Sequence, residues 1–175
     1  MTKLRTLFLD TETTGLNADS SGIVEIGIVD AAGETVLSSL VNPWPHREWA
    51  QAQAIHGISP EMVRNAPLIH DLWPAIFKII QGSQLIIYNA QYDVQFFPNG
   101  TLGYCEIECA MLRYGRVKGV RGNRGDWKWW KLVEAASDCD HDWTGTKAHR
   151  AVADCLAART VWNFCERKEK ENAGT

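Results

Sequence analysis

The chain has 175 residues and a mass of 19.6 kDa, which is the size of one domain. Hydrophobic residues make up 45% of the sequence and charged residues 22%, a composition that excludes extensive disorder. A formal net charge of −3 excludes nucleic-acid binding through bulk positive charge, but not through a local basic patch. We predict one domain over residues 1–167, followed by a polar, frayed tail over 168–175.

The N-terminal region and the cysteines indicate where the protein works. No apolar segment near the start is long enough for a signal peptide, and no run approaches the length of a membrane span. The five cysteines cannot all pair, and none lies in a Cys-x-x-Cys motif, so we expect reduced thiols and a cytoplasmic protein. A zinc site of Cys105, Cys109, Cys139 and His141 would have spacings that fit no common zinc module.

The predicted elements change character along the chain. Three short β-like runs at 4–10, 23–30 and 35–41 predict consecutive strands. Helices follow at 47–55, from Ser59 onward and at 71–81, then a buried strand at 84–89 and a helix at 90–97. Two last helices are predicted at 129–136 and from about 149 to 167. Strands first and alternating helices later favour an α/β fold with a mixed sheet flanked by helices.

The first strand ends in two acidic residues, Asp10 and Glu12. Because residues i and i+2 of a strand point to the same face, these carboxylates project side by side. They repel each other, and a divalent cation that neutralises both would stabilise the arrangement. The alternative is that Asp10 caps the following turn and that Glu12 is simply solvated.

Two later segments contribute further acids and a histidine. Asp93 follows the buried strand, where alone it would be interpreted as a solvated aspartate at a helix start. His149 and Asp154 are five residues apart, so on a continuous helix their side chains would diverge by about 140°. They can reach a common point only if His149 lies in the loop or first turn and Asp154 lies inside the helix.

Taken together and in this order, Asp10, Glu12, Asp93, His149 and Asp154 resemble the catalytic set of the DEDDh family of 3′→5′ exonucleases. The resemblance covers about residues 5–165. Its motifs are FLDTETTGL (8–16), IVEIGIV (23–29), AIHGIS (54–59), YNAQYD (88–93) and AHRAVAD (148–154). The segments KAHRAVAD (147–154) and CAMLRYGR (109–116) are most similar to exonuclease X-type members or to the epsilon proofreading type. The resemblance implies a ribonuclease H-like fold, with a five-stranded mixed sheet whose first three strands are antiparallel.

The resemblance also implies a chemistry. Two Mg²⁺ or Mn²⁺ ions, roughly 3.5–4 Å apart, are expected to promote phosphodiester hydrolysis. Asp10, Glu12 and Asp154 would hold one ion, and Asp10 would also reach the second, which Asp93 supports. His149 would act as the general base, since an imidazole of ordinary pKa, about 6.5, can accept a proton at neutral pH.

Contacts to the terminal nucleotide follow from the same resemblance. The backbone of Thr13 would contact the terminal sugar, Leu16 would wedge against the last base, and His56 would lie near the terminal nucleotide. The alternatives are ordinary core packing for Leu16 and a capping or core role for His56. Asn89 would either touch the substrate or orient a backbone loop.

A basic, tryptophan-rich stretch spans residues 113–131. It carries seven basic residues and one acidic residue, with four glycines and with tryptophans at 127, 129 and 130. Basic side chains neutralise phosphates, and exposed aromatic rings stack on bases. We predict that Trp127, Arg121 and Arg124 bind the nucleic-acid strand away from the reaction centre. The alternative places Trp129 and Trp130 on the core face of a helix and the charges in a solvated loop.

The sequence thus predicts a metal-dependent 3′→5′ exonuclease that releases nucleoside 5′-monophosphates from DNA, preferably from single-stranded or frayed ends. One alternative is an exoribonuclease of the ribonuclease T or oligoribonuclease type. Another is a polymerase-associated proofreading or accessory subunit. An inactive binding module is disfavoured because all five catalytic positions are filled. The expected partner is nucleic acid, DNA before RNA, and not a membrane; a polymerase or a second copy of the chain is a further candidate.

Overall fold

The computed structural model describes residues 4–98, 100–122 and 125–174. Within these ranges it contains five strands and seven α-helices. The strands are β1 (Arg5–Thr13), β2 (Ile23–Asp30), β3 (Thr35–Leu40), β4 (Ser83–Ile87) and β5 (Glu106–Cys109). The helices are α1 (Ala50–His56), α2 (Pro60–Val63), α3 (Ile69–Ile80), α4 (Ala90–Asp93), α5 (Ala110–Lys118), α6 (Leu132–Asp138) and α7 (Ala151–Ala173).

The strands form one mixed sheet in the order β3-β2-β1-β4-β5. Strand β2 pairs antiparallel with β1 and β3, whereas β4 pairs parallel with β1 and β5. These pairings confirm the predicted five-stranded mixed sheet with three antiparallel strands first. Pairing of β1 with β4 ends at Leu9 opposite Ile87, while β1 stays paired with β2 as far as Thr13. The last residues of β1 therefore extend beyond the carboxyl end of β4.

Both faces of the sheet are covered. Phe8 points to the face that packs against α5, α6 and α7, whereas Leu7 and Leu9 point to the face that packs against α3 and α4. All three side chains are buried, which explains why β1 reads as a continuous apolar run and not as an alternating one. Among the described residues, no helix combines the length and the apolar character needed to cross a bilayer.

The second half of the chain departs from the predicted elements. Helix α5 was not predicted, because the glycines and charges after residue 113 indicate a loop. The helix requires a glycine at position 115, because a Cβ atom there would lie only 2.9 Å from the Lys128 carbonyl oxygen. The helix predicted at 129–136 begins only at Leu132, since the preceding segment is held in a hairpin. There Lys128 N donates to Val120 O at 2.9 Å, and Arg121 and Trp127 form an antiparallel bridge.

The C-terminal helix also differs at both ends. Helix α7 starts at Ala151 and continues to Ala173, so the prediction of a frayed tail is wrong for residues 168–173. Two ion pairs stabilise this last part of the helix: Arg113 contacts Glu169, and Lys168 contacts Glu171. The helix predicted at 90–97 is shorter, since α4 ends at Asp93 and a single 3₁₀ turn follows.

Candidate active site

Strand β1 places Asp10 and Glu12 on the face of the sheet that carries α7. In the β1–β2 register Asp10 lies opposite Gly27, and Glu12 lies opposite Glu25. A Cβ atom on Gly27 would lie 2.7 Å from both Ala151 C and Val152 N. The start of α7 therefore rests directly on β2 beside the two acids, in a position that a side chain on residue 27 would block.

The loop before α7 brings His149 and Asp154 together. His149 has a left-handed backbone with φ of 65°, and Arg150 is extended, with φ of −136°. The His149 amide donates to Asp154 Oδ1 at 3.1 Å. Ligand atoms of Glu12, His149 and Asp154 all lie within 4.8 Å of one another. This confirms that His149 precedes the helix while Asp154 lies inside it, the one arrangement in which both side chains reach a common point.

Asp93 approaches the same region from the other face of the sheet. It is buried in α4, and its Oδ1 accepts hydrogen bonds from the Thr11 hydroxyl at 2.7 Å and the Thr11 amide at 3.2 Å. Thr11 separates Asp10 from Glu12, so Asp93 is fixed to the acidic end of β1. The Asn89 carbonyl accepts from the amides of Tyr92 and Asp93. Asn89 thus orients α4 through its backbone.

Burial and mutual repulsion raise the pKa of every carboxyl group in this cluster. The pKa of Asp10 is raised well above its ordinary value by burial and then by the charges of Asp93, Asp154 and Glu12. Burial, followed by the charge of Asp154, raises the pKa of Glu12 to about 8. The pKa values of Asp93 and Asp154, both raised mainly by burial, are about 7 and about 6. Such a cluster carries an electrostatic cost that a divalent cation would remove.

The donor set fits a hard cation. Carboxylate oxygens are the ligands that Mg²⁺ and Mn²⁺ prefer, and the carboxyl groups of Glu12 and Asp154 lie within 4.8 Å of each other and of a His149 nitrogen. The alternative zinc ligands do not come together: Cys139 packs on the α7 face of the sheet, whereas Cys105 packs on the α3 face. Among the described residues, the one cluster of three ligand atoms is that of Glu12, His149 and Asp154. The structure supports a site for a divalent cation.

A cleft opens next to Glu12, between the end of β1 and α1. Its walls include Thr13, Leu16, His56 and Tyr92. The Leu16 side chain is 83% exposed, so the alternative of core packing is wrong for this residue. A large apolar side chain therefore stands at the rim of the cleft, free to contact a ligand.

His56 is a buried wall of this cleft. Its Nδ1 accepts from the Ile58 amide at 2.9 Å, which leaves the proton on Nε2, 3.3 Å from the Thr13 carbonyl. Burial lowers the pKa of His56 and keeps the ring neutral, as this pair of hydrogen bonds requires. Both ring nitrogens are thus used within the chain, and His56 acts here by fixing the backbone of Thr13.

The basic stretch forms a hairpin whose cations stack on aromatic rings. The Arg121 guanidinium lies 3.8 Å from the centre of the half-buried Trp127 ring, and Lys128 lies 3.6 Å from that of Trp130. Trp129 is 59% exposed and lies outside any helix, so the helix-core alternative is wrong for it. Trp130 instead packs edge-on against Tyr114. Arg124, also predicted to bind nucleic acid, lies outside the described residues.

Two residues at the site, Glu25 and Arg150, were not predicted from the sequence. Glu25 is buried, and its carboxylate pairs with Arg150 and accepts from the Ala151 amide at 2.9 Å. A glutamate inside the apolar run IVEIGIV was the available signal, because a buried charge requires a partner. The partner is 125 residues away in sequence and could not be identified without the fold.

Fold and acidic cluster together define a nuclease. An exonuclease family model, of the ribonuclease T type, matches residues 7–161. The chain belongs to this exonuclease family, whose members are hydrolases that normally use divalent metals.

Individual relatives agree with this assignment. The chain is 40% identical to an uncharacterised exonuclease of Escherichia phage 186 over 161 residues, which cover 85% of this chain and 81% of that protein. It is 37% identical over 100 residues to the DNA polymerase III epsilon subunit of Rickettsia typhi. That match covers 55% of this chain and only 44% of the subunit, so the chain spans less than half the length of this relative.

Solved structures show the same fold. Exonuclease X in complex with 5′-overhanging duplex DNA superposes with a TM-score of 0.75 and 27% identity, over 94% of this chain and 93% of that one. Exonuclease I of E. coli, bound to a dA16 oligonucleotide, gives a TM-score of 0.72 at 13% identity and covers 93% of this chain and 43% of its own. The second likeness concerns the fold alone.

Proposed function

We propose that this chain removes nucleotides one at a time from the 3′ end of DNA and releases nucleoside 5′-monophosphates. One observation carries the proposal: Glu12, His149 and Asp154 converge within 4.8 Å at the acidic end of β1. Asp10 lies in the same strand as Glu12, and Asp93 is tied to that strand by its hydrogen bond with Thr11. This arrangement supports the proposal that these five residues are the catalytic set that the exonuclease resemblance implies.

The proposed reaction is a hydrolysis at the last phosphodiester bond. Water attacks the phosphorus atom, the bond from phosphorus to the 3′ oxygen of the preceding nucleotide breaks, and that oxygen takes a proton from solvent water and leaves as a hydroxyl group. His149 accepts the proton of the attacking water. Asp10, Glu12, Asp93 and Asp154 would hold two Mg²⁺ or Mn²⁺ ions, which neutralise charge on the phosphate and on the leaving oxygen.

The cleft beside Glu12 suits a single strand end. Thr13 and His56 form its wall, and Leu16 and Ile55 stand at its mouth with 83% and 57% of their surface exposed. Exposed apolar side chains at such a rim can pack against the last base and separate it from a complementary strand. Single-stranded or frayed 3′ ends are accordingly the proposed preference.

The hairpin supplies a second contact to the substrate. Among the described basic residues of this stretch, Arg113 and Lys118 are paired with Glu169 and Asp138. Arg121 instead lies over Trp127, where a guanidinium can still contact a phosphate. We propose that the nucleic-acid strand upstream of the reacting end binds to this surface, where a base stacks on the exposed ring of Trp129.

The choice of DNA over RNA has independent support. Exonuclease X was solved with DNA, and the epsilon subunits are parts of a DNA polymerase. A role beside a polymerase, as in those relatives, and an exoribonuclease activity are the competing proposals that an assay must separate.

The test uses 5′-labelled DNA and RNA of one sequence, each also supplied with a blocked 3′ end. Each strand is incubated with Mg²⁺, with Mn²⁺, with EDTA, and with the Asp10→Asn variant. The proposal predicts a ladder that shortens from the 3′ end of DNA and is absent with the blocked end, with EDTA and with the variant. Faster shortening of RNA than of DNA would identify RNA as the preferred substrate. No shortening of either strand would refute the exonuclease proposal.

A further inference from the structure

An ion pair between the buried Glu25 and the partly exposed Arg150 joins β2 to the segment that carries His149. Only 5% of Glu25 is exposed, and Arg150 Nε lies 3.1 and 3.0 Å from its two carboxylate oxygens. The Arg150 Nη2 atom contacts the same carboxylate, and the Ala151 amide donates to it at 2.9 Å. One carboxylate thus fixes two consecutive residues.

These two residues are the link between His149 and α7. Arg150 directly follows His149, and Ala151 is the first residue of the helix that contains Asp154. The backbone of His149 is left-handed. Residues with a side chain keep this conformation when the surrounding structure enforces it. The Asp154 carboxylate receives the His149 amide, so this one turn has two anchors: Asp154 from within α7 and Glu25 from β2.

We infer that Glu25 is a positioning residue: through Arg150 and the Ala151 amide, it sets where His149 and Asp154 stand relative to Glu12. This role rests on the proposed function, because His149 acts there as the base. Glu25 lies opposite Glu12 in the β1–β2 register, so the same pairing ties the loop to the strand that carries the acids. Neither residue of the ion pair contacts the substrate in this role.

A purely electrostatic role would make a different prediction. Glu25 adds a negative charge beside the acids, whereas Arg150 adds a positive charge. If charge alone mattered, removing Arg150 would make the site more negative and would tighten the binding of a divalent cation. If position matters, removing either partner loosens cation binding, because Asp154 and His149 are no longer held.

The chain offers a matched control on the same helix. Arg113 holds Glu169 of α7 with the same two-pronged geometry, its Nε 3.1 and 3.2 Å from the two carboxylate oxygens. This pair lies near the C-terminal end of α7, far along the helix from Asp154. Glu169→Gln therefore removes an ion pair of the same geometry, at a more exposed carboxylate, without touching the turn at His149.

The experiment compares the wild type with Glu25→Gln, Arg150→Gln and Glu169→Gln. Three quantities are measured: the Mn²⁺ dissociation constant by calorimetry, the amide exchange of residues 149–152 in the metal-free protein, and kcat and KM on single-stranded DNA. We expect Glu25→Gln and Arg150→Gln each to weaken Mn²⁺ binding and to lower kcat by about 10- to 100-fold. KM should change little, amide exchange at 149–152 should accelerate, and Glu169→Gln should change none of these by more than about twofold.

Specific results would overturn the inference. Tighter Mn²⁺ binding by Arg150→Gln, or values for Glu25→Gln equal to those for Glu169→Gln, would show that Glu25 does not position the site. Should Glu25→Gln fail to fold, Arg150→Lys keeps the charge but loses the two-pronged contact and carries the same prediction. If the wild type fails to shorten DNA, the proposed function falls, while Mn²⁺ binding and amide exchange still decide the role of Glu25.

Discussion

Replacing Gly27 with alanine tests whether the close contact between β2 and α7 sets the geometry of the site. The added Cβ atom would lie 2.7 Å from Ala151 C and Val152 N and 3.0 Å from Ala151 O, all of them backbone atoms. Ordinary contacts begin at 3.4 Å, so the start of α7 must move by about 0.7 Å. No flexible side chain can absorb this shift. The turn that carries His149 and Asp154 moves with the helix.

Two magnitudes follow from this displacement. Forcing one extra methyl group into a packed core costs about 1–3 kcal/mol. For a chain of this length, that cost corresponds to a fall in Tm of roughly 2–12 °C. A misplacement approaching 1 Å can lower turnover by up to about 100-fold, so we expect kcat on single-stranded DNA to fall roughly tenfold or more. Tm and kcat are measured on the same preparation, by thermal unfolding in EDTA and by initial rates in Mg²⁺, respectively.

The matched control is Gly103→Ala, because a Cβ atom there would meet nothing within 4 Å. It should leave both Tm and kcat unchanged. A Gly27→Ala protein that unfolds within about 1 °C of the wild type and turns over at the wild-type rate would refute the claim that this contact positions α7. A loss of stability with full kcat would separate the packing of α7 from the placement of His149.

Three further predictions concern charge, metal and substrate. The raised pKa values of Asp10, Glu12 and Asp154 mean that the folded protein holds protons which the unfolded chain releases at lower pH. Stability of the metal-free protein is therefore lost as the pH rises from about 4 towards 8, and Tm in EDTA should fall over this window more for the wild type than for Asp10→Asn. Equal decreases in Tm for the two proteins would contradict this prediction. Mn²⁺ at about 100 times its dissociation constant should add about 2.7 kcal/mol to the stability of the wild type at pH 8, and much less to that of Asp10→Asn. A shift of the same size in both proteins would place the ion elsewhere. Trp129→Ala should raise KM for single-stranded DNA roughly 5- to 150-fold and leave kcat unchanged, because the substitution removes one base stack. Tyr104→Ala, which removes a similarly exposed ring before β5, should have no effect; equal effects would show that Trp129 is not a specific contact.

Local patterns predict the elements that carry the acidic residues well, because these elements are restricted by their own residues. The spacing of Asp10 and Glu12 required a shared face, and the strand provides it beside α7. The five-residue spacing of His149 and Asp154 excluded a continuous helix, and the left-handed φ of His149 supplies the break. In each case, the chemistry of two nearby residues restricted the backbone between them.

The failures arise where distant segments decide the structure. Trp129 stays outside a helix because Lys128 bonds back to Val120, a contact that no periodicity reports. Helix α7 continues past Arg167 because Arg113 holds Glu169 across 56 residues. Glu25 was missed for the same reason, since its partner Arg150 becomes apparent only when β2 and α7 are in contact.

Each member of the acidic cluster is held by contacts with the protein itself. Asp10 and Glu12 are fixed by the pairing of β1 with β2, and Asp93 is fixed by the hydroxyl and the amide of Thr11. Asp154 is fixed by the His149 amide. Repulsion within the cluster therefore cannot relax by moving the carboxylates apart, and it adds to burial, the larger cause, in raising their pKa values. A divalent ion that binds meets ligands already in place, so its binding energy goes into displacing protons and relieving repulsion and not into ordering the chain.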